Sequence, residues 1–342
     1  MKTLAVKYRP KSFSDVVEQD VVCKILTNQI QNNNVKNCYL FCGASGSGKT
    51  TSARIFASEL NGSLNGVQEL DAASHSGADD VRRLIEDAKY KPIYGKYRIY
   101  IIDESHALSS QAWQVFLKEI EDPVPTSLYI FCTTESQKIP KTILSRVQRY
   151  DFKRISTSGI VSRLKYIIES ENKEGCAYTY DDSAITYIAK LAEGGMRSAI
   201  TFMEKCLGYS THLSLESVVD SLGTVNYSDM FDLTDAVVKF DKKSVIEIIE
   251  KLYNNGLDLK LFIKNYNHFV IDLCKYGICR TFDFIQIPET FEKRISVYSK
   301  DDFNFFTDLL NEVINLSADI KWNNSPKPRI ESSFILLCST VN

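Results

Sequence analysis

The stretch Gly43–Thr50, GASGSGKT, decides the fold of this 342-residue chain. It fits the pattern G-x₄-G-K-[ST], in which backbone N–H groups and the start of the next helix surround phosphate groups. The apolar run Cys38–Cys42 before it predicts a buried strand, and the apolar spacing from Ala53 to Leu60 predicts a helix. A glycine-rich turn without a ligand is the alternative, but this strand–loop–helix order favours a nucleotide site. We expect phosphates to lie against Gly43, Ala44, Ser45, Gly46, Ser47, Gly48, Lys49, Thr50 and Thr51.

A second strand candidate ends in two carboxylates, in the stretch Tyr100–Leu108, YIIDESHAL. In nucleotide-hydrolysing proteins with such a loop, the lysine reaches the β and γ phosphates, and the hydroxyl and a strand-end aspartate hold Mg²⁺. We therefore expect Lys49 to bind the phosphates, Thr50 and Asp103 to hold Mg²⁺, and Glu104 to act as general base on the attacking water. Two surface carboxylates without a ligand are the alternative.

The chain changes character near Phe152. Two further strand candidates precede this point, Val67–Leu70 and Ser127–Thr134, and helical patterns separate them. Apolar strands that alternate with helices predict an α/β domain with a parallel sheet covered on both faces. The second half shows helical spacing without another set of buried strands. The predicted domains are 1–154, 155–225 and 226–342.

Composition excludes several classes of protein. The chain is 44% hydrophobic and 25% charged, and no segment approaches the ~20 apolar residues of a membrane span, so we expect a cytoplasmic protein. Its net charge of -2 means that any nucleic acid would bind through a local face. The nine cysteines lack C-x₂-C spacing, which predicts buried thiols and no zinc.

The D-E-x-H sequence ending at His106 also occurs in helicases, but those need a second motor domain to supply an arginine. The helical second half offers none. A single nucleotide domain must obtain its arginine from a neighbouring subunit, which predicts a ring or an arc. Arg146 is a candidate, and Arg149 or Arg154 would serve equally by chemistry. A surface salt bridge is the alternative for each.

Seven blocks of sequence, in order, resemble one known family. They are KYRPKSFSDVVEQ (7–19), GASGSGKTT (43–51), ELDAAS (69–74), YIIDESHALS (100–109), LKEIEDP (117–123), CTTESQKIPKTILSR (132–146) and GGMRSAI (194–200). The ordered set resembles the gamma/tau subunits of the bacterial DNA polymerase III clamp loader, which are AAA+ ATPases similar to the small subunits of replication factor C. The resemblance implies an α/β P-loop AAA+ domain, a small helical lid domain and an all-helical C-terminal collar domain.

The resemblance also implies roles for residues that chemistry alone left open. Arg146 matches the arginine finger that acts on a neighbour's ATP, Thr134 the sensor that positions water, and Arg197 a second sensor on the γ-phosphate. Tyr8, Arg9 and Pro10 match the segment that packs near the adenine. The implied function is that of an ATPase motor subunit, which opens a sliding clamp on binding ATP and releases it on primer–template DNA after hydrolysis. Its partners would be other subunits in a pentameric, hetero-oligomeric arc, the clamp and DNA.

Some positions depart from the family pattern. Val147 replaces a cysteine, and a four-cysteine zinc module is missing before Asp71, so the expected cofactors are ATP and Mg²⁺ without zinc. His75–Gly77 replace basic residues, which leaves Arg82 and Lys118 as the candidates for contacting DNA, against the alternative of solvated charges. We also expect no polymerase-binding extension after the collar, and an origin in a bacteriophage or a divergent bacterium. The rival hypotheses are a branch-migration type of AAA+ DNA helicase and a non-catalytic loader subunit.

Overall fold

The computed structural model describes residues 2–222, 227–323 and 325–339. They form two compact units. Unit 1 comprises Met1–Tyr178 with Ile188–Glu204, and unit 2 comprises Thr179–Tyr187 with Lys205–Asn342. The predicted boundary between 225 and 226 lies outside the described residues, and the division into three domains stays a prediction.

A five-stranded parallel sheet forms the centre of unit 1. In space its strands lie in the order β2-β3-β4-β1-β5. They are β1 Cys38–Gly43, β2 Val67–Asp71, β3 Arg98–Asp103, β4 Ser127–Thr133 and β5 Gln148–Phe152. This arrangement confirms the predicted α/β class. The sequence patterns missed β5, whose alternating charged residues mark it as an edge strand.

Alternation along the strands divides the side chains between two cores. On β1, Tyr39 and Phe41 face helices α2 (Asp20–Gln31) and α3 (Lys49–Asn61). Leu40 and its neighbours face α4 (Ala78–Ala88) and α5 (Ser110–Glu121) on the opposite side. Both faces of the sheet are therefore covered, as a parallel sheet with continuous apolar strands requires.

Aromatic packing strengthens the second core. Phe116 of α5 is fully buried, and its ring lies 5.1 Å from that of Phe131 and 5.7 Å from that of Tyr129. Fully burying one such side chain contributes about 1.5–3 kcal/mol before conformational entropy is subtracted. This core holds β3 and β4 in the register on which the site depends.

Five further helices complete the first part of the chain, and two of them are single turns of four residues. They are α1 Leu4–Lys7, α6 Lys141–Leu144, α7 Thr157–Lys173, α8 Asp182–Leu191 and α9 Met196–Tyr209. Single 3₁₀ turns cover Phe13–Asp15, Ser105–Ala107 and Ser136–Lys138.

Unit 2 is helical, as predicted, apart from one pair of short strands. Its further elements are β6 Thr179–Tyr180, β7 His212–Leu213, α10 Leu215–Leu222, α11 Tyr227–Val238, α12 Lys242–Asn254, α13 Leu259–Cys279, a 3₁₀ turn at Glu289–Phe291, α14 Glu292–Ile295, α15 Lys300–Ile320 and α16 Pro326–Leu337. Its core is aromatic: the rings of Phe231 and Phe269 lie 4.8 Å apart, edge to face. The buried hydroxyls of Thr234 and Tyr266 share a 2.8 Å hydrogen bond.

All nine cysteines are free thiols, and six of them are buried. In the part of the chain that the structure describes, no helix is both long enough and apolar enough to cross a membrane. The same residues include no group of three or more His, Cys, Asp or Glu side chains placed to hold a metal ion. The expected absence of zinc stays a prediction.

Candidate nucleotide-binding site

The parallel register brings three strand ends to one edge of the sheet. Cys42 of β1 lies opposite Thr133 of β4, and Ile102 of β3 lies opposite Phe131. The residues that follow these strands therefore share the carboxyl edge, where open parallel sheets bind ligands. The phosphate loop Gly43–Thr50 follows β1, and Asp103 ends β3.

The phosphate loop is shaped by positions that only glycine fits. At Gly43 a Cβ atom would lie 2.5 Å from the carbonyl oxygen of Phe152 on neighbouring β5. Gly46 has φ +73°, and its carbonyl accepts a hydrogen bond of 3.1 Å from Met196 at the start of α9. The loop is thus held between the sheet and α9, and α3 begins at Lys49 with its free N–H groups toward the loop.

Lys49 lies inside this loop with only 6% of its surface exposed. Its Nζ donates hydrogen bonds of 2.8 Å and 2.9 Å to the carbonyl oxygens of Gly43 and Ala44. Burial lowers the pKa of Lys49 below its ordinary value. An anion in the loop would offset that penalty, because an opposite charge favours the ammonium form.

Thr50 and Asp103 meet across the loop and the strand end. The Thr50 hydroxyl donates a 2.7 Å hydrogen bond to Asp103 Oδ2, and Asp103 Oδ1 accepts 3.0 Å from the Glu104 N–H. A hydroxyl and a carboxylate are the oxygen ligands that Mg²⁺ prefers beside phosphate oxygens. These two residues therefore fit a magnesium ion.

Glu104 adopts a left-handed backbone conformation, with φ 46° and ψ 41°. Such a conformation costs a non-glycine residue on the order of 1 kcal/mol or more and is concentrated at functional sites. It turns the chain sharply after β3, and Ser105 then anchors the turn by donating 3.0 Å to the carbonyl of Cys132. The Thr134 hydroxyl donates 3.3 Å to Glu104 Oε2, so the predicted base and the predicted sensor are in contact.

A cavity of about 340 Å³ within unit 1 connects most of the predicted residues. Its wall includes residues 45–51 of the loop region, together with Tyr8, Arg9, Pro10, Asp103, Glu104 and Arg197. Gly43, Ala44 and Thr134 adjoin it through the contacts described above. Burial, and then the nearby positive charge of Arg54, lowers the pKa of Arg9.

The N-terminal wall of the cavity is fastened to α7. The Tyr8 hydroxyl donates 2.7 Å to Glu171, and Arg163 donates 3.0 Å to the Tyr8 carbonyl. Sequence reasoning missed these anchors, since Glu171 lies more than 160 positions from Tyr8. It also missed the further lining residues Thr3, Ala5, Val6, Val16, Val17, Ile155, Arg163, Met196, Ile200, Thr201 and Glu204. Val16 and Val17 lie in the family block 7–19, and Met196 and Ile200 lie in the block 194–200, which were the only sequence signals for these four residues.

Three of the predicted functional residues lie outside this cavity. Among the described residues, the cavity wall includes none of Arg146, Arg82 and Lys118. Arg146 is exposed at a separate open depression of about 450 Å³, where its Nη2 lies 2.8 Å from Glu121 Oε1. Arg82 on α4 is exposed and pairs with Asp79, and Lys118 is exposed on α5.

The phosphate loop, the strand order and the paired carboxylates place this chain among the AAA+ P-loop proteins. A solved structure of the Thermotoga maritima RuvB Holliday junction branch migration motor has the same fold, with a TM-score of 0.52 and 18% identity, over 73% of this chain and 86% of that one. At this identity the likeness concerns the fold alone.

Sequence comparison identifies the family. Residues 67–156 match the model for DNA polymerase III, delta subunit, and residues 213–300 match the model for domain III of DNA polymerase III subunits gamma and tau. The Bacillus subtilis DNA polymerase III subunit tau is 30% identical over 97% of this chain. The chain belongs to the DNA polymerase III gamma/tau family, and the predicted resemblance is confirmed.

The relatives differ in length. The chain spans 62% of the Bacillus subtilis protein and 43% of the Mycoplasma pneumoniae DNA polymerase III subunit gamma/tau, to which it is 33% identical. The DNA polymerase III subunit gamma of Buchnera aphidicola subsp. Acyrthosiphon pisum is 26% identical, and the match covers 99% of both chains.

Proposed function

We propose that this chain is the ATPase motor subunit of a DNA-replication clamp loader. One observation carries the proposal: Lys49, Thr50, Asp103 and Glu104 meet at a single cavity in a chain of the gamma/tau family. ATP binding would favour the assembled form that holds an open sliding clamp. Hydrolysis on primer–template DNA would release the closed clamp.

The residues divide the chemistry of hydrolysis between them. Lys49 and the loop N–H groups bind the β and γ phosphates, and Thr50 and Asp103 would hold Mg²⁺, which neutralises phosphate charge. Glu104 takes a proton from the attacking water while the water oxygen bonds to the γ-phosphorus and the bond to the ADP oxygen breaks. Thr134 orients the Glu104 carboxylate through their 3.3 Å contact. Arg197, on the cavity wall, would stabilise charge on the γ-phosphate.

The position of Arg146 supports an assembly of several subunits. This exposed side chain pairs with Glu121 at the separate depression instead of lining the cavity of its own chain. An arginine supplied in trans stabilises the charge of the transition state in many P-loop ATPases. We therefore propose that Arg146 completes the site of a neighbour in a pentameric, hetero-oligomeric arc.

The proposed partners are the other loader subunits, the sliding clamp and primer–template DNA, in the bacterial cytoplasm. Arg82 and Lys118 are the proposed contacts to phosphate groups of DNA. They lie on α4 and α5, which pack against each other, and both side chains are exposed. With a net charge of -2, such contacts must be local.

The branch-migration alternative is not favoured. Similarity to RuvB is limited to the fold, at 18% identity, whereas similarity to the gamma/tau relatives extends to 97% of the chain. A branch-migration motor would unwind DNA without a sliding clamp.

The direct test is the ATPase rate of the reconstituted complex with and without a sliding clamp and primed DNA. We expect the clamp and DNA together to raise the rate well above its basal value. A rate that responds to neither would overturn the loader proposal. Unwinding of branched DNA without a clamp would support the alternative.

A further inference from the structure

His106 is the residue of D-E-x-H to which the proposed chemistry assigns no role. It lies in the 3₁₀ turn Ser105–Ala107, with 17% of its side chain exposed. The left-handed conformation of Glu104 and the anchoring of Ser105 on β4 direct the chain so that the imidazole lies between two carboxylates.

The contacts of the ring are specific to each nitrogen. Nδ1 lies 3.3 Å from Glu104 Oε2 and 3.2 Å from the Thr133 hydroxyl. Nε2 lies 3.3 Å from Glu135 Oε1. A carboxylate only accepts hydrogen bonds, so donation to Glu104 takes a proton on Nδ1 and donation to Glu135 takes one on Nε2.

The two carboxylates are not equally dependent on the ring. Glu135 Oε1 also accepts a 2.9 Å hydrogen bond from Lys138, which supplies a full positive charge. Glu104 Oε2 accepts from the Thr134 hydroxyl at 3.3 Å. A neutral hydroxyl is a weaker donor than an ammonium group, so the imidazole contributes more to holding Glu104 than to holding Glu135.

We propose that His106 is a positioning residue for Glu104, with its Nδ1–H holding Oε2 of the general base. His106 and Thr134 both act on Oε2, which leaves Oε1 to receive the proton of the attacking water. The inference rests on the proposed hydrolysis function and deepens it. His106 is not among the described residues that line the nucleotide cavity, whereas Glu104 is, so His106 acts through the Glu104 carboxylate.

Two amide substitutions separate the two faces of the ring. The amide nitrogen of asparagine occupies a place close to Nδ1 of histidine, and that of glutamine a place close to Nε2. His106→Asn should therefore retain a donor to Glu104, and His106→Gln a donor to Glu135 alone. A packing role predicts no such preference, since both variants remove the ring.

The experiment is single-turnover ATP hydrolysis by the assembled complex at saturating ATP and Mg²⁺, with the dissociation constant for ATP measured in parallel. His106→Ala should lower the hydrolysis rate on the order of 10-fold to 100-fold through misplacement of the base, with the dissociation constant unchanged. His106→Asn should restore most of the rate, and His106→Gln should not. His268→Ala, which changes an exposed histidine of α13, is the matched control and should behave as wild type.

A wild-type rate in His106→Ala, or equal losses in the Asn and Gln variants, would overturn the assignment. If His106→Ala does not fold, the comparison of Asn with Gln decides alone. The loader proposal fails on a different result, a wild-type rate that does not respond to clamp and DNA. A wild-type complex without ATP hydrolysis would overturn both.

Discussion

The guanidinium of Arg146 lies 2.8 Å from the carboxylate of Glu121, at a surface depression separate from the cavity that contains Lys49. The pair is solvent-exposed, so it contributes little to stability and leaves the arginine available to another partner. A γ-phosphate bound to a neighbouring subunit would be a stronger partner than Glu121.

Arg146→Ala should therefore lower ATP turnover by the complex on the order of 10³-fold or more, while each subunit still binds ATP. In the isolated chain, which has no neighbouring subunit, wild type and Arg146→Ala should hydrolyse ATP at the same low rate. Arg149→Ala is the control, because Arg149 is an exposed arginine of β5 paired with Asp151. If Arg149→Ala abolished ATP turnover and Arg146→Ala left it unchanged, Arg149 would be the arginine that acts on the neighbour's ATP.

Glu104→Gln should abolish turnover and preserve ATP binding. The amide cannot accept the proton of the attacking water, and loss of a general base costs ~10²–10⁴-fold in rate. Lys49, Thr50 and Asp103, which bind the phosphates and Mg²⁺ in the proposal, are unchanged. Steady-state phosphate release and binding of a fluorescent ATP analogue measure the two properties separately. Continued turnover by this variant would remove Glu104 as the base.

Arg82→Ala and Lys118→Ala should each reduce the salt dependence of DNA binding. A side chain that contacts phosphate releases counterions, so each loss should lower the slope of log K against log[salt] by about 1. Binding of primed DNA by the complex, titrated at several salt concentrations, gives the slope. Lys243→Ala, an exposed lysine of α12, serves as the control. If the slope is unchanged in both variants, Arg82 and Lys118 do not contact DNA and their charges are solvated.

Glu171→Gln should destabilise unit 1 by about 1.5–3 kcal/mol, the contribution of a hydrogen bond to a charged group. The Glu171 side chain is only 9% exposed and accepts from Lys7 at 2.6 Å and from Tyr8 at 2.7 Å. Burial acts to raise the pKa of Glu171, but the hydrogen bonds from Lys7 and Tyr8 outweigh it and lower the pKa below its ordinary 4.5.

A carboxylate whose pKa is lowered in the folded state stabilises the fold above its ordinary pKa of 4.5, and this stability is lost as pH falls through the folded-state pKa. The difference in the free energy of unfolding between wild type and Glu171→Gln should therefore be largest near pH 7 and become smaller below about pH 4.5. Chemical denaturation at several pH values measures it. Glu174→Gln is the control, because Glu174 is 60% exposed although it also pairs with Lys7. If Glu171→Gln and Glu174→Gln lowered the free energy of unfolding equally, burial of Glu171 would not be the cause of its larger contribution.

Local sequence patterns predicted the elements that have strong periodicity. The phosphate loop, strands β1, β3 and β4, and the helices of unit 2 follow from apolar spacing and from glycine positions, which act within a few residues. The two edge strands of the sheet were harder to predict from sequence patterns. β5 was missed because Arg149 and Asp151 alternate with its buried residues, and β2 was predicted as buried but is largely exposed. An edge strand buries little surface, so its sequence carries a weak apolar signal.

The sequence by itself determined the phosphate loop, the alternation of strands and helices, and the chemical types available to the site. Only the tertiary structure decided which of these side chains meet. The contacts between Thr50 and Asp103, between Tyr8 and Glu171, and between His106 and both Glu104 and Glu135 depend on the register of parallel strands and on packing between helices that are distant in sequence. Periodicity reports which face of an element is buried, whereas these contacts depend on how separate elements align across the sheet.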